Sequence, residues 1–193
     1  MFVSFQYKQE PTQTKENQVV NTIMTRRSIR KYQPQAVARD TMDPILQCGI
    51  NAPNGQNKQS WEVRVVDSPV LLDAMRDAMV QGHPDMPTDM VRGCFRGAPT
   101  MVFITRDPSY DLSAYDCGLL AENMVLSAWS MGIGSICLGS PVRFLTDNDV
   151  CRPLIDKLGF SEGYELSLCV RFGYPDKTPA AKPRDWGKVK YVD

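Results

Sequence analysis

The sequence predicts an α+β sandwich. Short apolar segments of strand type alternate with helical ones, and one long helix is apolar around most of its circumference. No internal repeat, low-complexity tract or linker divides the 193 residues, a length that suits one domain with a real core. Lys+Arg and Asp+Glu are equal at 22 each, so any positive charge is local. A dedicated nucleic-acid binder carries a broader excess. No stretch reaches the roughly 18 uninterrupted apolar residues of a membrane span.

The elements follow in order. Residues 1–18 read as an arm preceding a single domain, 19–193. The arm is polar after Phe2, Phe5 and Tyr7, and it lacks the basic start and long apolar segment of a signal peptide. Val19 to Thr25 forms a short helix. Asp40 to Ile50 forms a second, with Asp40 as its cap; Pro44 within it is expected in the first turn. Trp61 to Val66 is a strand. Ser68-Pro69 opens a helix as cap and first residue, with Leu71, Leu72, Met75 and Met79 as its stripe. Val80 to Gly97 has no clear period and reads as a flap, in which Phe95 and the methionines either line a pocket or pack ordinarily. Met101 to Ile104 is a buried-type strand. Ser113 to Met131 is the strongest helix, and its apolar circumference requires a core or an interface. A helix over Asp147 to Leu158 and a strand over Glu165 to Phe172 complete the chain.

Six cysteines, at 48, 94, 117, 137, 151 and 169, form no C-x-x-C pair and match no zinc spacing. They read as reduced residues of a cytoplasmic protein, with no metal site. The single histidine, His83, lies in a turn-like stretch, and no nucleophile motif accompanies it.

Chemistry concentrates in four segments. Arg26-Arg27-Ser28-Ile29-Arg30-Lys31-Tyr32 places four cations and a hydroxyl in seven residues. Guanidinium groups grip phosphate in bidentate fashion, and the serine adds a neutral donor. A distant segment repeats that chemistry: Gly173-Tyr174-Pro175-Asp176-Lys177, then Lys182-Pro183-Arg184. The two are expected to meet on one anion. Asn51 to Ser60 is a turn-rich loop crowded with amides, able to read a heterocycle edge or simply to turn. Gly132 to Gly139 combines small residues that either admit a flat ligand or stop a helix before a strand.

The order of these segments resembles the flavin-dependent nitroreductase family. R-R-S-I-R-K-Y, A-P-N-G-Q-N-K-Q-S-W, M-G-I-G-S-I-C-L-G after the apolar helix, and G-Y-P with K-P-R carry the likeness across residues 19 to 186. The resemblance implies an α/β/α sandwich with a mixed, mainly antiparallel sheet flanked by helices, working as an intertwined homodimer. It implies FMN at the subunit interface, NADH or NADPH as reductant, and a nitroaromatic or quinone as acceptor. Arg26, Arg27, Ser28 and Arg30 would hold the phosphate and flavin edge, joined by Lys182 and Arg184. Pro53, Asn54, Gly55, Asn57 and Gln59 would approach the flavin from the other subunit, and the backbone of Ile136, Cys137, Leu138 and Gly139 would lie along its ring. Ser113 to Met131 would form much of the dimer core. The cofactor would supply the redox chemistry, so no side chain is assigned as acid or base. Departures are Asn54 for the usual serine, Ser60 for proline before Trp61, and Asp185 after Arg184. A flavin-binding protein without catalysis, or the same flavin site used for dehalogenation or flavin breakdown, remains open on these residues.

Overall fold

The computed structural model describes residues 17–97 and 99–192; the aromatic positions of the arm lie outside them. Four antiparallel strands form one sheet: β1 (Trp61–Val66), β2 (Thr100–Arg106), β3 (Gly134–Leu138) and β4 (Glu165–Gly173), in the order β1-β2-β4-β3. The helices are α1 (Gln18–Thr25), α2 (Arg39–Ile50), α3 (Pro69–Gly82), α4 (Thr88–Gly93), α5 (Ser113–Ser130), α6 (Ser140–Thr146) and α7 (Arg152–Asp156). The one parallel pairing among the described residues is the isolated bridge Ser28↔Ser135 at the free edge of β3.

Strand alternation sends successive side chains to opposite faces, and the two faces have separate cores. Met101, Phe103 and Cys169 point into one, with Ile136, Leu138, α3, Val91 of α4, and Phe144 and Leu145 of α6. Val102, Ile104, Val170 and Phe172 point into the other, covered by α2 and α5. Gly49 of α2 packs so closely on Met124 of α5 that a Cβ there would stand 2.5 Å from the methionine Cγ.

Local chemistry explains most boundaries. Asn17 caps α1 by accepting from Val20 N at 3.1 Å, and Ser68 caps α3 by accepting from Leu71 N at 3.3 Å. Three expectations are corrected. Asp40 lies in the first turn of α2, behind an Ala38 N-cap, and Pro44 stands in the helix interior. Interior proline costs about 3 kcal/mol; burying Met42 and Ile45 returns about 1.5–3 kcal/mol each. The helix expected over 147–158 is a 3₁₀ turn, Asp149–Cys151, followed by α7. Pro153 has no N–H to continue a longer ladder. The flap contains α4, and Phe95 within it is fully buried core.

Candidate functional site

The basic run closes over the sheet edge. Ile29 N donates to Ser135 O at 2.9 Å, Gln33 N to Tyr174 O at 2.9 Å, and Asp176 N to Lys31 O at 3.0 Å. Backbone pairing therefore brings the basic run beside Tyr174–Asp176. Gly134 makes it possible: a Cβ there would stand 2.7 Å from Ile29 Cγ1 and 2.9 Å from Pro175 Cγ. Lys182 and Arg184 lie farther along an exposed segment and form no ion pair among the described residues.

Within the run the cations differ. Arg27 Nη1 donates to Met24 O at 2.9 Å and Arg26 O at 2.7 Å, where α1 ends. Arg30 is exposed, and its Nη1 donates to Ser28 O at 3.2 Å. Arg26 stands 3.6 Å from Glu122 of α5, an ion pair too long to be a hydrogen bond. Among the described residues its buried Nε has no hydrogen-bond partner, and neither does the buried Ser135 Oγ beside the run. Buried polar atoms are ordinarily satisfied, so this corner suits an added acceptor.

The glycine segment divides into three roles. Gly132, at φ 76°, ends α5, and Ile133 N returns to Ala128 O at 2.9 Å. Gly134 accommodates protein. Gly139 is exposed, with nothing within 4 Å of a built Cβ. Ile136 and Leu138 turn their side chains into the core, so this edge strand offers backbone. Cys137 is exposed; desolvation and the Glu122 carboxylate raise its thiol pKa, while Arg26 opposes them. An open cavity of about 300 Å³, lined by Asp89, Met90, Cys94, Arg96, Ser140 and Phe144, adjoins Gly139 through the next residue.

The amide loop is strained and fastened. Gln56, Asn57 and Gln59 have φ of 53°, 55° and 49°, a region that costs non-glycine residues roughly 1 kcal/mol or more each. Asp116, buried in the first turn of α5, accepts from Gly55 N at 3.0 Å and Ser60 Oγ at 2.9 Å. Asn54 Oδ1 accepts from Gln59 N at 2.9 Å, and Lys58 Nζ lies 4.2 Å from the Tyr110 ring centroid. Pro53, Asn57 and Gln59 stay exposed, and Asn54 and Gly55 are half-buried. Asp116→Ala is expected to destabilise the protein by about 2–4 kcal/mol in urea unfolding, because Ser60 Oγ and Gly55 N lose a shared charged acceptor. An unchanged midpoint would mean the loop is held otherwise.

Sequence reasoning missed Asp116 and Arg171. The available signals were the lone acid in the first turn of an apolar helix, and a charged residue at an inward position of a central strand.

The loop and the basic run do not meet within the protomer. Asp116 holds the loop at the start of α5. Near its end, Trp129 Nε1 donates to Thr25 Oγ1 at 3.0 Å, tying down the base of the run. At 1.5 Å rise per residue the two fastenings are about 20 Å apart along the axis. Among the described residues, no group of three or more His, Cys, Asp or Glu could hold a metal, and no helix is long and apolar enough to cross a membrane.

Comparison with known proteins agrees with this architecture. A nitroreductase from Desulfitobacterium hafniense DCB-2, solved with bound FMN, superposes with a TM-score of 0.83 at 29% identity, covering 92% of this chain and 99% of that one. An FMN-bound nitroreductase from Bacteroides fragilis NCTC 9343 gives 0.82 at 28% identity, covering 92% and 100%. The NADPH-flavin oxidoreductase of Vibrio harveyi is 27% identical over 175 residues, spanning 87% of this chain and 70% of its own. The family model described as "Nitroreductase family" matches residues 23–174, and the chain belongs to that family.

Proposed function

We propose that the protein is a cytoplasmic homodimeric oxidoreductase that binds FMN between its subunits and passes reducing equivalents from NADH or NADPH to a nitroaromatic or quinone. One observation carries the reading: the two candidate halves of the site are fastened at opposite ends of α5, and the exposed face is apolar from its N-cap Leu112 through its first two turns. Leu112, Tyr115 and Leu119 are 45%, 71% and 45% exposed and spaced three and four residues apart, one helical stripe. Gly118 beside them leaves room for close approach. A two-fold partner packed antiparallel along this stripe sets one protomer's amide loop against the other's basic run. Val19, Ile23 and Met24 of α1 are exposed as well.

The residues fit FMN. Arg26 and Arg30, with Ser28, neutralise and orient a phosphate dianion, and Arg26 Nε gains the acceptor it lacks. Lys182 and Arg184 are free to reach the same anion. The free edge of Ile136–Gly139 presents peptide groups to the ring, and Asn54, Gly55, Asn57 and Gln59 of the opposing loop address its polar edge. The bound flavin supplies the hydride-accepting chemistry. Six unpaired thiols suit a reducing compartment.

Steady-state oxidation of NADPH and of NADH by FMN-loaded protein, with a benzoquinone and a nitroaromatic as acceptors, tests the activity. Turnover that requires FMN is expected with at least one pair; its absence with every pair contradicts the reading.

A further inference from the structure

Arg171 is the least expected residue of the interior. It lies in the middle of β4, is 0% exposed, and among the described residues none of its three side-chain nitrogens has a hydrogen-bond partner. Alternation puts it on the same face as Cys169. Its guanidinium carbon is 5.6 Å from the Phe95 ring centroid, and that of Arg76 is 5.9 Å from the same ring. The groups that act on its charge are Arg76, Tyr32, Cys169 and Cys94. None is an anion at neutral pH. Burial raises Tyr32 and Cys169 far above their ordinary values and Cys94 to about 12. Burial first, then Arg76, lowers Arg171 to about 9, which leaves it protonated at pH 7. The interior therefore holds a lone positive charge, an arrangement that opposes folding unless something else uses it.

Its position indicates the use. Arg171 is the direct partner of Ile136 in the β3–β4 ladder, about 4.8 Å away across one strand spacing. Tyr32, the last residue of the basic run, responds to both Arg171 and Arg30. The charge thus sits behind both segments assigned to the flavin. We propose that Arg171 is a buried counter-charge that favours the reduced flavin over the oxidised one, an inference that rests on the FMN reading above. A hydride transferred as the C–H bond of a dihydronicotinamide breaks and NAD(P)⁺ departs would add one negative charge to a bound flavin, and Arg171 would stabilise that charge. Unit charges about 10 Å apart at an effective dielectric near 20 attract enough to change an equilibrium on the order of tenfold.

The test is the two-electron midpoint potential of the FMN-loaded protein at pH 7, measured spectroelectrochemically for wild type, Arg171→Met and Arg171→Lys. Arg171→Met should weaken reduced relative to oxidised FMN by about tenfold or more, a fall of about 30 mV. Arg171→Lys, which keeps the charge, should stay within about twofold, or about 9 mV. The FMN-free Met variant should melt about 3 °C or more above wild type, because an unpaired buried charge is gone. A Met variant with unchanged potential overturns the proposal, as do equal falls in both variants, which would indicate shape. A Met variant unable to fold contradicts the lone-charge premise. Reduction by dithionite separates the two readings. If FMN binds but NAD(P)H does not reduce it, the activity fails while the potentials still decide Arg171; if wild type takes up no FMN, both fall.

Discussion

Replacing Arg26 and Arg30 together by alanine is expected to raise the dissociation constant for FMN by about two to four orders of magnitude and to leave the fold intact. Hydrogen bonds from a charged donor contribute about 1.5–3 kcal/mol each, and every 1.4 kcal/mol is about a tenfold change in affinity. Neither side chain supports the core. Arg30 is exposed, and among the described residues the only ionic contact of Arg26 is the long pair with Glu122. Flavin fluorescence titration gives the affinity, and far-ultraviolet circular dichroism with a urea midpoint gives the fold. Unchanged affinity would remove the phosphate role from the run. A collapsed fold would make these cations structural.

Adjacent leucines of α5 are expected to behave in opposite ways when changed to glutamate. Leu120 is 0% exposed and belongs to the core between α2, α5 and the sheet. Leu120→Glu buries an unpaired charge, at a cost of about 3–5 kcal/mol or more, a large part of the roughly 5–15 kcal/mol that holds a domain together. Loss of the cooperative unfolding transition is the expected result. Leu119 is 45% exposed in the protomer. Leu119→Glu should leave each protomer folded and convert a dimer into monomers that have lost FMN, because the site then lacks the partner's loop. Sedimentation velocity with circular dichroism reads both. A stable Leu119→Glu dimer would place the interface elsewhere.

Much of this was legible in the sequence because it rests on local rules. Apolar runs of strand type marked β1, β2 and β4, while β3 stayed one of two readings of the glycine segment. Ser68-Pro69 marked the start of α3, and the apolar length of α5 identified the helix at the centre of one of the two cores. The basic run was visible as charge in an otherwise balanced chain. What escaped depended on long-range contact. α6 begins with Ser140-Pro141 directly after Gly139, a loop-like spelling, and it folds because Phe144 and Leu145 are buried against the sheet. The glycine segment read either as a ligand-admitting stretch or as a helix stop before a strand, and neither reading foresaw that Gly134 answers to Ile29, more than a hundred residues away. The flap had no period because its apolar residues serve a core reached from several directions. Asp116 and Arg171 carry no motif. Their importance lies in what the fold brings, or fails to bring, within hydrogen-bonding distance.

The most direct test of the central claim is a visible absorption spectrum of the purified protein after incubation with FMN, recorded before and after adding NADPH or NADH without oxygen. The account predicts flavin bands that survive desalting and bleach on addition of one nucleotide or both. Failure to retain FMN would contradict the assignment of the basic run, the loop and the β3 edge as a flavin site. Retained bands that neither nucleotide bleaches would contradict the proposed reaction.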